Sequence, residues 1–446
     1  MRRAAVLAGV LLAVLVGCSV RGWAGDGAAP PAGPGNAPAS DARDRASGAA
    51  GETRPPAVTR YTLPPEKYEK ARTLGQIRLW GTLLGFAWIA GTLWLLLRWR
   101  WAAKFRTWAE RASARRPIQA LVFTGTLVLT VGILSLPLAV IREVIVRRYG
   151  FSIQSWGSWL WDWLKGQLVS VVLAAILVWI VYAVIRRSTR RWWLYFWLAS
   201  LPIGLGLYVV QPVVIDPLFF KYEPLASKEP VLTDGLQRMI RAAGQDIPPE
   251  RMFWMGAGEK VTLLNASVNG FGASKRIVIW DTTIKKMTTP QIVWVVGHEV
   301  GHYVLGHIPK LLGFGAVVLL ALFYLTYRLI DRLLARWGPA WGVRGLDDWA
   351  SLPALLLLLV AFLFGVTPAF NAFSRLMERE ADRYALDVTR PLMPDAGEVC
   401  AQAFQTLGEA DLADPEPSTF AVLFSYDHPP IGDRILDCLA PGPSRR

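Results

Sequence analysis

The stretch from Val295 to His307, VVGHEVGHYVLGH, contains three of the four histidines of this 446-residue chain. On an α-helix, His298 and His302 are one turn apart, so both imidazoles project from one face, with Glu299 beside them. This is the H-E-x-x-H spacing in which two histidines bind zinc and the glutamate acts as a general base. His307 lies outside the ligand spacing, and we expect it to support the site or the fold rather than to bind the metal.

The residues before this stretch carry the signals of a helix start. Thr288 is a suitable N-cap, Gln291 occupies the capping-box position and Pro290 falls in the first turn, which predicts that a helix begins there. The apolar neighbours, such as Val296 and Val300, are expected to bury this helix while the histidines face a metal. The alternative is a buried apolar helix with incidental imidazoles.

A catalytic zinc requires three protein ligands and an open position, so a third ligand must come from elsewhere in the chain. The best candidate lies in NAFSRLMEREADRYAL, where Glu378 and Asp382 share one helical face at a spacing of four residues. Glu380 points away from that face, and we expect it to be solvated or paired with a nearby arginine. Two predicted membrane spans separate His302 from Glu378, which places both residues on the same side of the membrane.

The composition indicates a membrane protein, because 53% of the residues are hydrophobic and only 18% are charged. Six apolar stretches are long enough to cross about 30 Å of hydrocarbon. They cover residues 77–97, 118–140, 168–185, 194–214, 311–334 and 352–373. The last two stretches could be core helices of a soluble enzyme, but they are apolar all round, which favours membrane spans.

The positive charge of the chain, formally +14, lies in alternate loops between these spans. The basic residues of these loops and of the adjoining span ends are Arg98, Arg100, Lys104, Arg106, Arg111, Arg115 and Arg116, then Arg186, Arg187, Arg190 and Arg191, then Arg328, Arg332, Arg336 and Arg344. Such loops are cytoplasmic, so the charge is explained without a nucleic-acid partner, and membrane lipid is the expected surrounding. By parity, residues 215–310 and 374–446 are expected outside the cytoplasm.

The N-terminus resembles a signal sequence, with two arginines, an apolar run over residues 4–17 and then Cys18. The residues before Cys18 resemble a lipobox, although a plain cleavage site or a retained anchor is also compatible. Cys400 and Cys438 would form a disulfide in an exported domain or remain buried thiols in the cytosol. The predicted organisation is a signal peptide or lipoprotein signal (1–18), a flexible tether (19–73), a four-span membrane domain (74–214) and a metallopeptidase domain (215–446).

Five segments carry a family resemblance: PLFFKYEPL, NASVNGFGASKRIVIWDT, HEVGHYVLGH, NAFSRLMEREAD and DHPPIGDR. From about Tyr61 to Arg434 the sequence resembles the type I CAAX prenyl proteases, which are integral-membrane zinc metallopeptidases. The resemblance implies a mainly α, polytopic membrane protein whose gluzincin-like peptidase domain carries a small β element. It also implies one zinc ion per chain and hydrolysis of a polypeptide substrate.

The resemblance assigns a role to each motif residue. His298, His302 and Glu378 would bind zinc, Glu299 would be the general base and Asp382 would orient a ligand histidine.

The same resemblance implies roles for residues whose local sequence alone suggests only turns. His428, with Arg434 as a helper, would stabilise the oxyanion. Asn265 and Ala266 would lie along an extended substrate, beside a strand predicted at 275–281.

The chain departs from the family in its orientation. The family has seven spans, resides in the endoplasmic reticulum and opens toward the cytosol, whereas the charges here predict a multi-pass protein of the bacterial inner membrane with an extracytoplasmic site. We therefore expect cleavage of small or membrane-associated polypeptides rather than of prenylated cytosolic proteins. The alternatives are a quality-control protease resembling the heat-shock membrane metalloproteases, which lack the N-terminal spans, and a non-catalytic zinc-containing chamber, against which Glu299 argues.

Overall fold

A computed structural model describes residues 57–270 and 275–440. The predicted signal segment with Cys18 and most of the predicted tether lie outside the described residues. The structure is mainly helical, with one small sheet. This agrees with the fold class expected from the sequence.

Long helices and one short helix form the membrane part of the protein in the described residues. They are α1 (Pro65–Arg98), the short α2 (Trp101–Ala112), α3 (Arg116–Arg148), α4 (Trp156–Arg187), α5 (Trp192–Val210), α10 (His307–Trp341) and α11 (Leu352–Thr389). In the described part, five helices are long and apolar enough to cross a membrane, namely α1, α3, α4, α10 and α11. The predicted span 194–214 falls on α5, a helix of 19 residues, and it stays a prediction.

The membrane helices pack around one apolar core and leave large apolar side chains on the outside. Leu93 of α1, Phe123 of α3 and Val178 of α4 are fully buried in this core. By contrast, Trp80 and Leu168 are more than half exposed. Apolar surface of this kind is stable against lipid tails but costly in water, so the outer surface of the bundle fits the predicted contact with lipid.

The start of α1 corrects the predicted boundary of the tether. The tether was expected to reach residue 73, but α1 begins at Pro65. The residues just before it are anchored, because Tyr61 is buried and its hydroxyl donates to the Ala413 carbonyl at 3.2 Å. The backbone N–H of Thr62 also donates to Gln405 Oε1. An aromatic anchor on the C-terminal helices therefore orders this segment, and a local sequence pattern could not reveal that contact.

The remaining elements build the peptidase part. They are β1 (Tyr222–Pro224), α6 (Leu225–Lys228), α7 (Pro230–Ala242), β2 (Met252–Met255), β3 (Ala266–Asn269), β4 (Arg276–Trp280), α8 (Asp281–Lys286), α9 (Thr289–Val304), α12 (Ala396–Asp411), α13 (Thr419–Ser425) and α14 (Ile431–Leu439). The sheet order is β1-β2-β4-β3, with β2 and β4 parallel and β3 antiparallel to β4. The strand predicted at 275–281 is β4, and β3 is an edge strand.

Helix α9 begins with the predicted capping box, in which the Thr288 backbone N–H donates to Gln291 Oε1 at 2.9 Å. Its apolar face is buried against α7, α11 and α12. Gly301 allows α11 to come close, because a Cβ at this position would lie 2.9 Å from a ring carbon of Tyr384 and 3.4 Å from the Ala381 carbonyl oxygen. The close packing of α9 and α11 brings the two halves of the predicted site together.

Candidate metal centre

Three side chains converge between α9 and α11. The Nε2 atoms of His298 and His302 lie 3.1 Å apart. Glu378 Oε2 is 3.2 Å from His298 Nε2, and Glu378 Oε1 is 3.6 Å from His302 Nε2. Potential ligand atoms of His298, Glu299 and His302 all lie within 4.8 Å of one another. The structure therefore brings together the three predicted ligands and the predicted general base.

This donor set fits a metal ion. His298, His302 and Glu378 expose at most 6% of their surface, and Glu378 Oε1 makes no hydrogen bond within the described residues. The nearest groups to this oxygen are two imidazoles, His428 at 3.2 Å and His302 at 3.6 Å, and an ionised carboxylate is costly to bury unless cations neutralise it. A cation at the common focus would satisfy it, and two imidazoles with one carboxylate suit zinc with an open fourth position.

The outer nitrogen of His298 is held by a buried carboxylate, as the resemblance implies for Asp382. His298 Nδ1 lies 2.7 Å from Asp382 Oδ1. Burial lowers the pKa of His298, the carboxylates of Glu378 and Asp382 raise it, and the balance places it at about 9 in the metal-free protein. Because a histidine must be neutral to bind a metal, binding at this site displaces a proton.

Arg434 lies behind the carboxylates. Its Nε donates to Asp382 Oδ2 at 2.8 Å, and its Nη2 donates to Asp382 Oδ1 at 2.6 Å and to Glu378 Oε2 at 3.2 Å. This geometry supports a role in holding Asp382 and Glu378, whereas the expected help to the oxyanion stays a prediction. The two contacts to Asp382 form a charge-assisted bidentate pair, which fixes the orientation of that carboxylate.

His302 has a different outer partner. Its Nδ1 lies 2.8 Å from His307 Nδ1, and His307 Nε2 lies 2.9 Å from Glu380 Oε2. Glu380 was expected to be either solvated or paired with an arginine, and in the structure it lies beside His307 and, at 3.4 Å, Lys310, so the arginine alternative is not the one observed. The other part of that expectation agrees with the structure, since about half of the Glu380 side chain is exposed.

His428 faces the centre from the loop before α14. Its Nε2 is 3.2 Å from Glu378 Oε1, and its Nδ1 is 2.7 Å from Asp427 Oδ1. Burial lowers the pKa of His428, the neighbouring Asp427 and Glu378 carboxylates raise it, and the net shift is upward. Asp427 therefore holds the outer nitrogen of His428 and favours the protonated ring that can donate from Nε2.

Cavities open on both sides of the centre. One has a volume of about 280 Å³ and extends toward Phe220 and Trp280. The other has a volume of about 210 Å³ and extends toward Arg78 and Phe404. Both are lined by Glu299 and His428 and by the start of the edge strand β3, where Asn265 and Ala266 lie. The centre thus lies within a cleft that an extended chain could enter.

Comparison with known proteins places this fold and site in a family. Residues 226–440 match the model of peptidase family M48, and residues 48–221 match a model described as CAAX prenyl protease N-terminal, five membrane helices. An uncharacterized metalloprotease of Bacillus subtilis, YhfN, is 35% identical over 332 residues, which cover 74% of this chain and 76% of that protein. The chain belongs to peptidase family M48.

Two further matches are more distant. A probable CAAX prenyl protease 1 of Schizosaccharomyces pombe is 24% identical, with 86% of this chain and 81% of that protein aligned. The crystal structure of S. mikatae Ste24p has the same fold with a TM-score of 0.71 at 19% identity, and the match covers 84% of this chain and 89% of that one. The match of residues 48–221 to the CAAX prenyl protease N-terminal model favours a resemblance to the CAAX prenyl proteases over one to the heat-shock membrane metalloproteases.

Membership of family M48 makes the chain a multi-span membrane metalloprotease that hydrolyses polypeptides.

A disulfide joins Cys400 of α12 to Cys438 of α14, with 5.8 Å between the Cα atoms. This is the first of the two alternatives left by the sequence. The bond ties α14, which carries Arg434, to the rest of the peptidase part.

Sequence reasoning did not assign a role to Asp427. The signal was present, because this aspartate directly precedes His428 in the segment DHPP. The contact of His307 with the outer nitrogen of His302 was also not predicted in this form, because a regular helix does not bring residues five positions apart onto one face.

Proposed function

We propose that this protein is a zinc-dependent endopeptidase of a bacterial inner membrane that cleaves small or membrane-associated polypeptides at an extracytoplasmic site. The observation that carries the proposal is the convergence of His298, His302 and Glu378 beside Glu299, in a cleft bordered by an edge strand. Membership of family M48 and the bacterial relative support it.

The proposed chemistry is hydrolysis of a peptide bond. Zinc held by His298, His302 and Glu378 would polarise the scissile carbonyl and lower the pKa of water at the site. Glu299 accepts the proton of the attacking water and passes it to the leaving amine. His428, with its Nδ1 on Asp427, donates from Nε2 to the oxygen that becomes negative in the tetrahedral transition state.

The edge strand β3 supports binding of an extended substrate. Asn265 presents its carbonyl to the β4 side, because it accepts from the Trp280 backbone N–H at 3.1 Å. Backbone groups alternate along a strand, so the N–H and carbonyl of Ala266 point away from β4. A substrate backbone can pair with them by strand addition, a mode that reads little sequence. A chain bound by strand addition must be extended, which favours short or unfolded polypeptides over folded domains.

The direct test of the proposal is the Glu299→Gln variant, purified in detergent and assayed on an unfolded protein and on quenched fluorescent peptides. We expect kcat to fall by about 10²–10⁴-fold, because the general base is lost. Zinc content measured by mass spectrometry should stay at one ion per chain. The matched control is Glu259→Gln, which alters an exposed glutamate paired with Lys221. Equal rates for Glu299→Gln and the wild type would refute the proposed function.

The extracytoplasmic orientation rests on two observations. The arginine-rich segments lie at or after the C-terminal ends of α1, α4 and α10, whereas the site lies at the start of α10, and an excess of arginine and lysine is typical of cytoplasmic loops. The Cys400–Cys438 disulfide is typical of proteins in oxidising compartments.

Cysteine labelling in whole cells tests this orientation. Ala226→Cys lies on the side of the site and Thr189→Cys lies in the loop between α4 and α5, and both positions are exposed. We expect a membrane-impermeant maleimide to label Ala226→Cys above the background of the parent protein and to label Thr189→Cys only after lysis. The reverse pattern would invert the proposed topology and leave the peptidase proposal intact.

A further inference from the structure

We infer that His307 and Glu380 form a positioning chain that holds the metal ligand His302 in the ring orientation and tautomer that a metal requires. The inference rests on the proposed function, since it concerns the same metal site. Neither residue is a proposed metal ligand or the proposed general base, so this role is an additional one.

The two histidine ligands are supported in different ways. His298 has its outer nitrogen on Asp382, a buried carboxylate that Arg434 holds by two hydrogen bonds. The outer nitrogen of His302 lies next to Nδ1 of His307. His307 is a neutral partner when it carries a proton on Nε2 and none on Nδ1. A metal-bound histidine needs an acceptor for its other N–H, because that acceptor sets the tautomer and raises the basicity of the ligand.

The hydrogen bonds determine where each proton lies. His302 Nε2 faces the common focus with His298 and Glu378, so its lone pair must be free for the metal, and the proton lies on Nδ1. His302 Nδ1–H then donates to His307 Nδ1 over 2.8 Å. His307 carries its own proton on Nε2 and donates it to Glu380 Oε2 over 2.9 Å. Because an ionised carboxylate only accepts, Glu380 selects the tautomer of His307 that can accept from His302.

The backbone explains how a residue five positions after His302 reaches it. Helix α9 ends at Val304, and Gly306 adopts a left-handed conformation with φ 65° before α10 starts at His307. This turn folds His307 back over the end of α9, where its side chain is completely buried. Glu380 comes from α11, so the chain of contacts joins the three helices that meet at the site.

The test uses full-length protein in detergent and measures zinc affinity by competition with a chromophoric chelator, together with the melting temperature of the metal-free protein. We expect His307→Leu to weaken zinc binding by about 10–100-fold. His307→Gln, which offers an acceptor oxygen to His302, should recover most of that loss. Glu380→Ala should weaken binding by several fold. Asp387→Ala removes an exposed carboxylate from the same helix, where Asp387 pairs with Arg390, and should leave the affinity unchanged.

The outcomes separate positioning from a merely structural role. An unchanged zinc affinity for His307→Leu, with or without a lower melting temperature, would overturn the inference. If His307→Leu does not fold, the exposed Glu380→Ala variant decides, and equal affinity for Glu380→Ala and Asp387→Ala overturns it. The measurements can be made in the Glu299→Gln background. A protein that binds no metal at all contradicts the proposed function, whereas metal bound equally by all variants contradicts only the positioning chain.

Discussion

Replacing Arg434 by methionine removes the cation that holds two buried carboxylates. The guanidinium makes three hydrogen bonds, two to Asp382 and one to Glu378, and its central carbon lies 4.1 Å from the centre of the Phe404 ring. Methionine is unbranched and of similar length, so it can keep the contact with Phe404. The variant therefore removes charge and hydrogen bonds while losing little packing.

The expected cost follows from the burial of the group. All three charged side chains are almost fully buried, so the variant leaves two carboxylates without their cation. Removal of one partner from a buried ion pair costs about 3–5 kcal/mol. A change of that size lowers the melting temperature of a domain of roughly 200 residues by about 6–20 °C. A zinc ion at the site would compensate part of the charge, so the shift should be larger in the metal-free protein than in the zinc-loaded protein.

The assay is thermal unfolding of Arg434→Met and wild type in the same detergent, with and without zinc. The control is Arg379→Met, because Arg379 pairs with Asp433 and Asp437 on the surface and exposed pairs contribute only about 0–1 kcal/mol. The double variant Arg434→Met/Asp382→Asn should recover part of the lost melting temperature, since one unpaired carboxylate is removed. A melting temperature for Arg434→Met within about 2 °C of that of Arg379→Met would refute this account of the site.

Three further variants test the cleft and its helices. Asp427→Ala should lower kcat by up to about 10²–10³-fold, the effect of losing an oxyanion donor, with little change in KM, measured with a fluorogenic peptide, because His428 loses the partner that aims its donor at the oxyanion; an unchanged kcat would contradict that role. Ala266→Pro removes an outward N–H from the edge strand and should raise KM about tenfold, the value of one hydrogen bond of roughly 1.4 kcal/mol, whereas an equal KM would rule out strand pairing at that position. Gly301→Ala should destabilise the protein by about 1–3 kcal/mol, since its Cβ would overlap the tyrosine ring on α11, and Gly297→Ala, with contacts of 3.5 Å or more, should be neutral or stabilising in the same thermal assay.

The parts of the site that share one helix were predictable from the sequence. His298 and His302 lie one turn apart on α9, and Glu378 and Asp382 lie one turn apart on α11. In each case helical periodicity alone decides which side chains face the same way. The membrane spans were predictable for a similar reason, because apolar length and composition identify a span without knowledge of its neighbours.

Other features depend on contacts between distant parts of the chain, and local patterns do not contain them. Arg434 binds Asp382 across 52 residues, and Tyr61 reaches Ala413 across 352 residues. The position of His307 depends on the left-handed Gly306. In the sequence, this glycine is only one residue within an apolar stretch. These contacts follow from how the helices pack, and packing is decided by the whole chain.

The metal centre is built on helices that belong to, or lead directly into, the long helices of the membrane part. His298 and His302 lie on α9, which leads through Gly306 directly into the 35-residue helix α10. Glu378 lies on the 38-residue helix α11, which returns the chain to the same side. Side chains on packed helices are held in position better than side chains on loops. His428, the proposed oxyanion donor, is the exception, because it lies in a loop. Asp427 holds its ring, and the disulfide between α12 and α14 restrains the helix that follows. The elements that the helices do not fix are therefore the ones that carry additional restraints.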